Sequence, residues 1–209
     1  MMRKYGSKKI KAVAVLLMFV MVISMVNIGK MTVQAKSEKK NIVVLYFSAT
    51  GTTKGAAKKI QKKTKGKLIE IKAADPYTDE DLDYGEDDSR VVKEHESAAS
   101  PAESDVRPEI SNLKEIKKAV KKADVVYIGY PIWWGEAPHI VYTLVEKVSL
   151  KGKTVVPFST SISSGLGDSA KNLKKNATIS SKTKWLKGRN FYDIPSQKTV
   201  NKWIDKLKY

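Results

Sequence analysis

Ser48-Ala49-Thr50-Gly51-Thr52-Thr53 groups four hydroxyls around one glycine, the chemistry of a loop that holds a phosphate. Gly51 lets the backbone come close to a ligand, while Ser48, Thr50 and Thr53 donate from their hydroxyls. A helix starting at this point adds unpaired backbone N–H groups and the positive end of its macrodipole, so no basic side chain is required. The string is not a nucleoside-triphosphate loop, because Ala56 stands where the second glycine is needed, and it is not G-x-G-x-x-G. Taken alone it also reads as an ordinary βα turn with a capping hydroxyl.

Two further strings carry chemistry. Tyr130-Pro131-Ile132-Trp133-Trp134-Gly135 sets two indoles side by side, with Pro138 closing the segment. Both cannot easily be buried in so short a loop, so at least one offers a flat face to a ring while its neighbour packs on the sheet edge. Ser159-Thr160-Ser161-Ile162-Ser163-Ser164-Gly165-Leu166-Gly167 is a third loop of hydroxyls and glycines. The chain has no cysteine, so disulfides, thiolate metal sites and cysteine nucleophiles drop out, and its two histidines, His95 and His139, fall on different segments. His139, just after Pro138, reads as a polar residue at a helix start. Asp79, Asp81 and Asp83 imitate the opening of a calcium loop, but Tyr84 occupies the glycine position and Arg90 the terminal glutamate position. A solvated acidic loop is the expectation there.

The elements that position these strings follow from hydrophobic patterning. Ile42 to Phe47, Lys67 to Ile71, Val125 to Ile128 and Thr154 to Phe158 read as strands, with a fifth near Thr183 to Lys187. Between them Ala56, Ala57 and Ile60 open a helix, and Leu113, Ile116, Val120 and Ala123 form a one-faced stripe behind Ser111 as its cap. Ile140, Val141, Leu144 and Val145 mark another helix, and Val200, Trp203, Ile204 and Leu207 a last one after Ser196, with Trp203 as core. The irregular stretch from Ala73 to Ile110 holds one short helix over Ser89 to Ser97. Strands alternating with helices predict an α/β fold, a parallel sheet covered on both faces. Each of the three strings then sits at the C-terminal end of a strand, the edge where open parallel sheets bind ligands.

On these residues the chain resembles the flavodoxin family from about Asn41 to the C-terminus. Ser48-x-Thr50-Gly51-x-Thr53 is similar to its phosphate loop, Tyr130 to Gly135 to its first isoalloxazine loop, and Ser159 to Gly167 to its second. The closest likeness is to bacterial flavodoxin-like proteins with a Trp-Trp-Gly loop and a long Asp-rich segment before the third strand. The resemblance implies a flavodoxin-like three-layer fold with a five-stranded parallel sheet in the order 2-1-3-4-5. It implies FMN as the cofactor, cycling between quinone, semiquinone and hydroquinone. The implied cofactor-binding residues are Ser48, Thr50, Gly51, Thr52, Thr53, Pro131, Ile132, Trp133, Trp134, Gly135, Ser159, Thr160, Ser161, Ser164, Gly165 and Gly167, with no catalytic side chain and no metal ligand. An electron carrier exchanging with a redox protein or a small-molecule donor or acceptor is the first reading. An FMN-dependent NAD(P)H:quinone or metal-chelate reductase is the second.

The N-terminus supplies an address. Arg3, Lys4, Lys8, Lys9 and Lys11 precede an apolar stretch from Ala12 to Ile28, and Val33-Gln34-Ala35 offers small residues to a signal peptidase. Residues 1–35 therefore read as a signal peptide, with an uncleaved anchor as the alternative, 36–40 as a short basic lead-in and 41–209 as the FMN-binding domain. Either way the domain is expected outside the cytoplasmic membrane, or at the cell surface. Lys36 to Tyr209 carries 33 basic against 22 acidic residues, a net +11. Familiar flavodoxins are mostly acidic. The lysines are spread over helix faces without aromatic interleaving, so association with an anionic cell envelope is expected rather than nucleic acid. The same excess predicts a basic surround at the flavin ring.

Overall fold

The computed structural model describes residues 40–209, which form one compact unit. The expected leader at 1–35 lies outside the described residues. Strand β1 (Ile42–Tyr46) leads into helix α1 (Thr52–Thr64) and β2 (Lys67–Glu70). A long excursion with a 3-10 turn (Glu80–Leu82) and α2 (Arg90–Glu96) follows. Then come α3 (Leu113–Lys122), β3 (Val125–Pro131), α4 (His139–Lys147), β4 (Thr154–Thr160), α5 (Ser169–Asn176), β5 (Lys184–Trp185), β6 (Arg189–Phe191) and α6 (Gln197–Ile204).

The sheet runs β2-β1-β3-β4-β5, every pairing parallel, with β6 also on β4. The sixth strand is the departure from the expected five, and Pro157 explains it. Val155 O accepts from Leu186 N at 2.9 Å. Positions of that parity on β4 therefore aim their backbone polar groups at the last strand. Pro157 has no N–H to offer there, so the ladder breaks and resumes at Phe158–Arg189.

Alternation along the strands sorts the core into two layers. Val43, Leu45, Val126 and Ile128 pack with Ile116, Val120, Ile140, Leu144 and Leu173, so α3, α4 and α5 cover one face. Val44, Tyr46, Tyr127 and Phe158 pack with Ala57, Ile60, Val200 and Trp203, so α1 and α6 cover the other. Trp203 is core, as its place in the stripe predicts. At the centre a Cβ on Gly129 would come within 2.1 Å of Phe158 Cζ, so a glycine here makes room for the ring on the adjacent strand.

Ser196 caps α6 by accepting from Thr199 N, and Ser89 caps α2 by accepting from Val92 N. Ser111 does not cap α3. Asn112 occupies the N-cap position without a side-chain cap bond, because both residues serve the end of β2 instead. Ser111 Oγ donates to Lys72 O, Asn112 Nδ2 donates to Glu70 O, and Lys72 N donates to Asn112 Oδ1. These bonds, with an antiparallel bridge between Ala73 and Ile110, pinch the base of the excursion and return it beside the sheet's C-terminal edge.

Candidate functional site

The three strings meet at that edge. Thr53 Oγ1 and Thr160 Oγ1 share a buried hydrogen bond of 2.6 Å, joining the first loop to the third. Ile132 N donates to Thr160 O at 2.8 Å, joining the second to the third. A Cβ on Gly167 would lie 3.3 Å from Gly135 O, so these two loops also approach backbone to backbone. Phe47, at the root of the first loop, packs edge-on against Trp133 with ring centroids 5.7 Å apart.

The first loop is shaped from within. Ser48 Oγ accepts from Gly51 N at 3.1 Å and from Lys54 N at 3.2 Å, and Gly51 takes φ +93° with nothing within 4 Å of an added Cβ. Among the described residues the backbone N–H groups of Ala49, Thr50, Thr52 and Thr53 find no protein acceptor. They sit at the N-terminus of α1, where an anion is favoured. Thr50 is exposed, Gly51 and Thr52 are half-buried, and Thr53 is buried against Thr160. The loop fits a phosphate.

Trp133 and Trp134 divide their tasks. Trp133 is half-buried and belongs to a three-ring cluster, 5.7 Å from Phe47 and 5.5 Å from Tyr77. Trp134 is 40% exposed and sits at φ +47°, followed by Gly135 at φ +82°. Trp133 N and O both bond Glu136 at 2.9 Å, so Trp134-Gly135 is the tip of a tight turn with two left-handed residues. Glu136 pins that turn to the scaffold, accepting from Asn172 Nδ2 at 2.6 Å and Tyr142 OH at 3.2 Å. Pro131 ends β3, and Pro131 and Ile132 are half-buried below the turn.

In the third loop Ser159 is fully buried and Thr160 nearly so, and Ser159 Oγ donates to Asn190 Oδ1 at 2.8 Å. Ser161 Oγ donates to the same oxygen at 3.2 Å and accepts from Gly165 N at 3.1 Å. Ser159 and Thr160 thus brace the loops, while Ser164 and Gly167 are exposed and Ser161 and Gly165 half-buried. Asn190 Nδ2 is buried with no partner among the described residues. A donor in that state suits a ligand oxygen. Free backbone donors, an orphaned amide and an exposed indole on one edge fit a phosphorylated ligand with a flat ring.

Four contributors carry no motif in the sequence. Asn190 orients two serines from a strand the patterning barely marks. Tyr77, from the excursion, completes the cluster under Trp133, with Arg90 Cζ 3.9 Å above its ring and its hydroxyl donating to Glu94 Oε1 at 2.8 Å. His95 and Tyr84 pack on Trp134, at 4.4 Å and 4.5 Å between ring centroids. Burial raises the Glu94 carboxyl and holds the neighbouring His139 imidazole down to about 4. The charge at this edge also differs from expectation: the connections following the strands carry Glu136, Asp168, Asp193 and the eight acids between Asp75 and Asp88. Lys54, Lys72, Arg90, Lys93 and Lys171 stand among these acids, so charges of both signs border this edge rather than a basic surround.

The flavodoxin family matches the chain over residues 41–207. A solved structure from Bacteroides eggerthii, provisionally assigned as a flavoprotein, is 42% identical, with 79% of this chain and 96% of that one covered and a TM-score of 0.67. A second, from Bacteroides uniformis with the same provisional assignment, is 37% identical over 80% of this chain and 99% of that one, with a TM-score of 0.64. A flavoprotein from Lactobacillus acidophilus solved in complex with FMN is 20% identical, over 79% of this chain and 99% of that one, with a TM-score of 0.52. At that identity the likeness concerns the fold. No curated protein matches the chain.

Proposed function

Because the chain belongs to the flavodoxin family, we propose that it is an exported electron-transfer protein whose flavin lies across the three loops. Family membership makes FMN the cofactor. Bound there, FMN supplies one- and two-electron exchange between a donor and an acceptor. The N–H groups of Ala49, Thr50, Thr52 and Thr53 and the hydroxyls of Ser48, Thr50 and Thr52 hold the phosphate. Trp134, stacked on His95 and packed against Tyr84, would border the ring, and Trp133, locked by Phe47 and Tyr77, sets the depth of the turn. Gly135 lets the peptide at the tip rotate with little steric cost. Ser161, Ser164, Gly165 and Gly167 form the opposite wall, with Ser159, Thr160 and Thr53 behind them. No side chain needs to give or take a proton, which suits a carrier.

The observation that carries this reading is the set of unpaired N–H groups on the same edge as an exposed indole. Residues 1–35 support export, and a redox protein or small molecule is the partner class. Reduction of the FMN-loaded chain by an artificial donor, followed by oxidation with cytochrome or ferricyanide, tests it. Reversible exchange without NAD(P)H consumption is expected, and failure to exchange electrons contradicts a carrier.

One observation favours the reductase as a second reading. A cleft of about 520 Å³ opens beside the first loop, lined by Phe47, Ser48, Lys72, Ala74, Tyr77 and Ser111 among others. That volume is within the range of small-molecule sites. Steady NAD(P)H oxidation with a quinone or ferric chelate would select it.

A further inference from the structure

All strands of the sheet run parallel, so β1 to β5 begin at one pole of the domain, β6 joins β4 partway along at Phe158, and every candidate loop lies at the other pole. We propose that the pole where the strands begin is a docking surface for an anionic phospholipid membrane, holding the candidate site outward toward its partner. This inference rests on charge placement and stands independently of the flavin reading.

Strands β1 to β5 are each introduced there by exposed lysine. Lys40 precedes β1, Lys65 precedes β2, Lys122 precedes β3, Lys151 precedes β4, and Lys182 and Lys184 stand at β5. Lys40, Lys153, Lys182 and Lys184 line one shallow concavity of about 200 Å³. Its one acid, Asp124, is engaged in accepting from Asn41 N at 2.7 Å. Two other acids near this pole, Glu115 and Asp205, each pair with a lysine, Lys67 and Lys63. At the opposite pole stand the eight acids between Asp75 and Asp88, with Glu136, Asp168 and Asp193. Lys54, Lys72, Arg90, Lys93 and Lys171 stand among those acids and are fewer than them, so the net positive charge lies toward the pole where β1 to β5 begin.

A bland cause accounts for part of the pattern. All six described α-helices carry lysine in their last turn, where the macrodipole favours a cation. That cause does not reach Lys40, Lys151, Lys182 and Lys184, which lie in connections or at a strand, or the convergence of Lys40, Lys153, Lys182 and Lys184 on one concavity. A clustered basic face is the footprint of an anionic surface. No aromatic side chain lines the concavity to stack on a base, which favours lipid headgroups over nucleic acid. The chain also enters the domain at this pole through Lys40, twelve residues beyond the apolar stretch ending at Ile28.

The test uses the full chain reconstituted in vesicles of phosphatidylcholine alone or mixed with phosphatidylglycerol, with a membrane-permeant amine reagent and mass-spectrometric reading of each lysine. In the anionic vesicles labelling of Lys151, Lys182 and Lys184 is expected to fall about threefold, recovering in high salt as exposed charges are screened. Lys72 and Lys171, at the site pole, are expected to label equally in both. The combined variant Lys151→Gln, Lys182→Gln, Lys184→Gln is expected to raise labelling of Lys40 in anionic vesicles while keeping its melting temperature. Equal labelling of the pole lysines in both vesicle types, or protection of Lys72 and Lys171 instead, overturns the proposal. Equal protection of the pole lysines by duplex DNA without vesicles overturns the choice of phospholipid.

Discussion

Trp134 and His95 stack face to face, their ring centroids 4.4 Å apart and their planes 2° from parallel. The contact joins the tip of the turn after β3 to helix α2, which also reaches the site through the Glu94–Tyr77 hydrogen bond and Arg90 over the Tyr77 ring. It holds an exposed indole on a left-handed residue in one orientation, so the excursion pre-organises the surface offered to the flavin.

His95→Ala removes that brace. Aromatic pairs contribute about 0.5–1.5 kcal/mol beyond area burial, so FMN affinity is expected to weaken about three- to tenfold. Titration of FMN fluorescence quenching reads it. Tighter binding in the variant would mean that His95 withholds Trp134 from the flavin.

Gly135 has φ +82° and open space where a Cβ would go, so Gly135→Ala meets backbone strain without collision. A loss of about 1 kcal/mol in stability is expected from the conformation alone. Because the peptide also loses its ease of turning, the gap between the first and second reduction potentials should narrow. Stepwise potentiometric reduction measures this, and an unchanged gap removes Gly135 from redox tuning.

Thr53→Val deletes the bond between the first and third loops while keeping shape. It leaves Thr160 Oγ1 buried without Thr53, at a cost of about 1–3 kcal/mol in stability. Urea unfolding should show that loss, together with weaker FMN binding. Weaker binding at unchanged stability would place Thr53 in ligand contact rather than behind it.

Acid should weaken the fold through His139. Burial first, then the charges of Arg107 and His95, holds its imidazole down from 6.5 to about 4. The folded state keeps it neutral, so the unfolded chain takes up the proton first and stability falls as pH drops from 6.5 to 4. The nearby Glu94, whose Oε2 lies 3.7 Å from His139 Nδ1, is raised by burial and works in the opposite sense. The His139 share is therefore the difference from His139→Gln, expected to be on the order of 2 kcal/mol across that window. Parallel pH-stability curves would contradict it.

Much of this was legible in the chain. Val43 to Phe47, Val125 to Tyr130 and Thr154 to Phe158 are buried runs of strand length, and Leu113, Ile116, Val120 and Ala123 repeat at helix spacing, so the elements and the covered parallel sheet follow from local pattern, whereas the strand order comes from the family resemblance. The sixth strand was not legible, because it depends on which way Pro157 faces in the register. Nor could Asn190, Tyr77 and His95 be found: each reaches the site by tertiary folding of a short or irregular segment, and none sits in a motif. The basic net charge was legible but its segregation was not, since only the parallel topology gathers Lys40, Lys151 and Lys184 at one pole.

The most direct measurement is the visible absorbance of the purified full chain, with the flavin released from it identified and counted. One FMN per chain, lost on combined substitution of Thr50 and Thr52 by valine, is the predicted result. A colourless protein that does not change the spectrum or fluorescence of added FMN would contradict it.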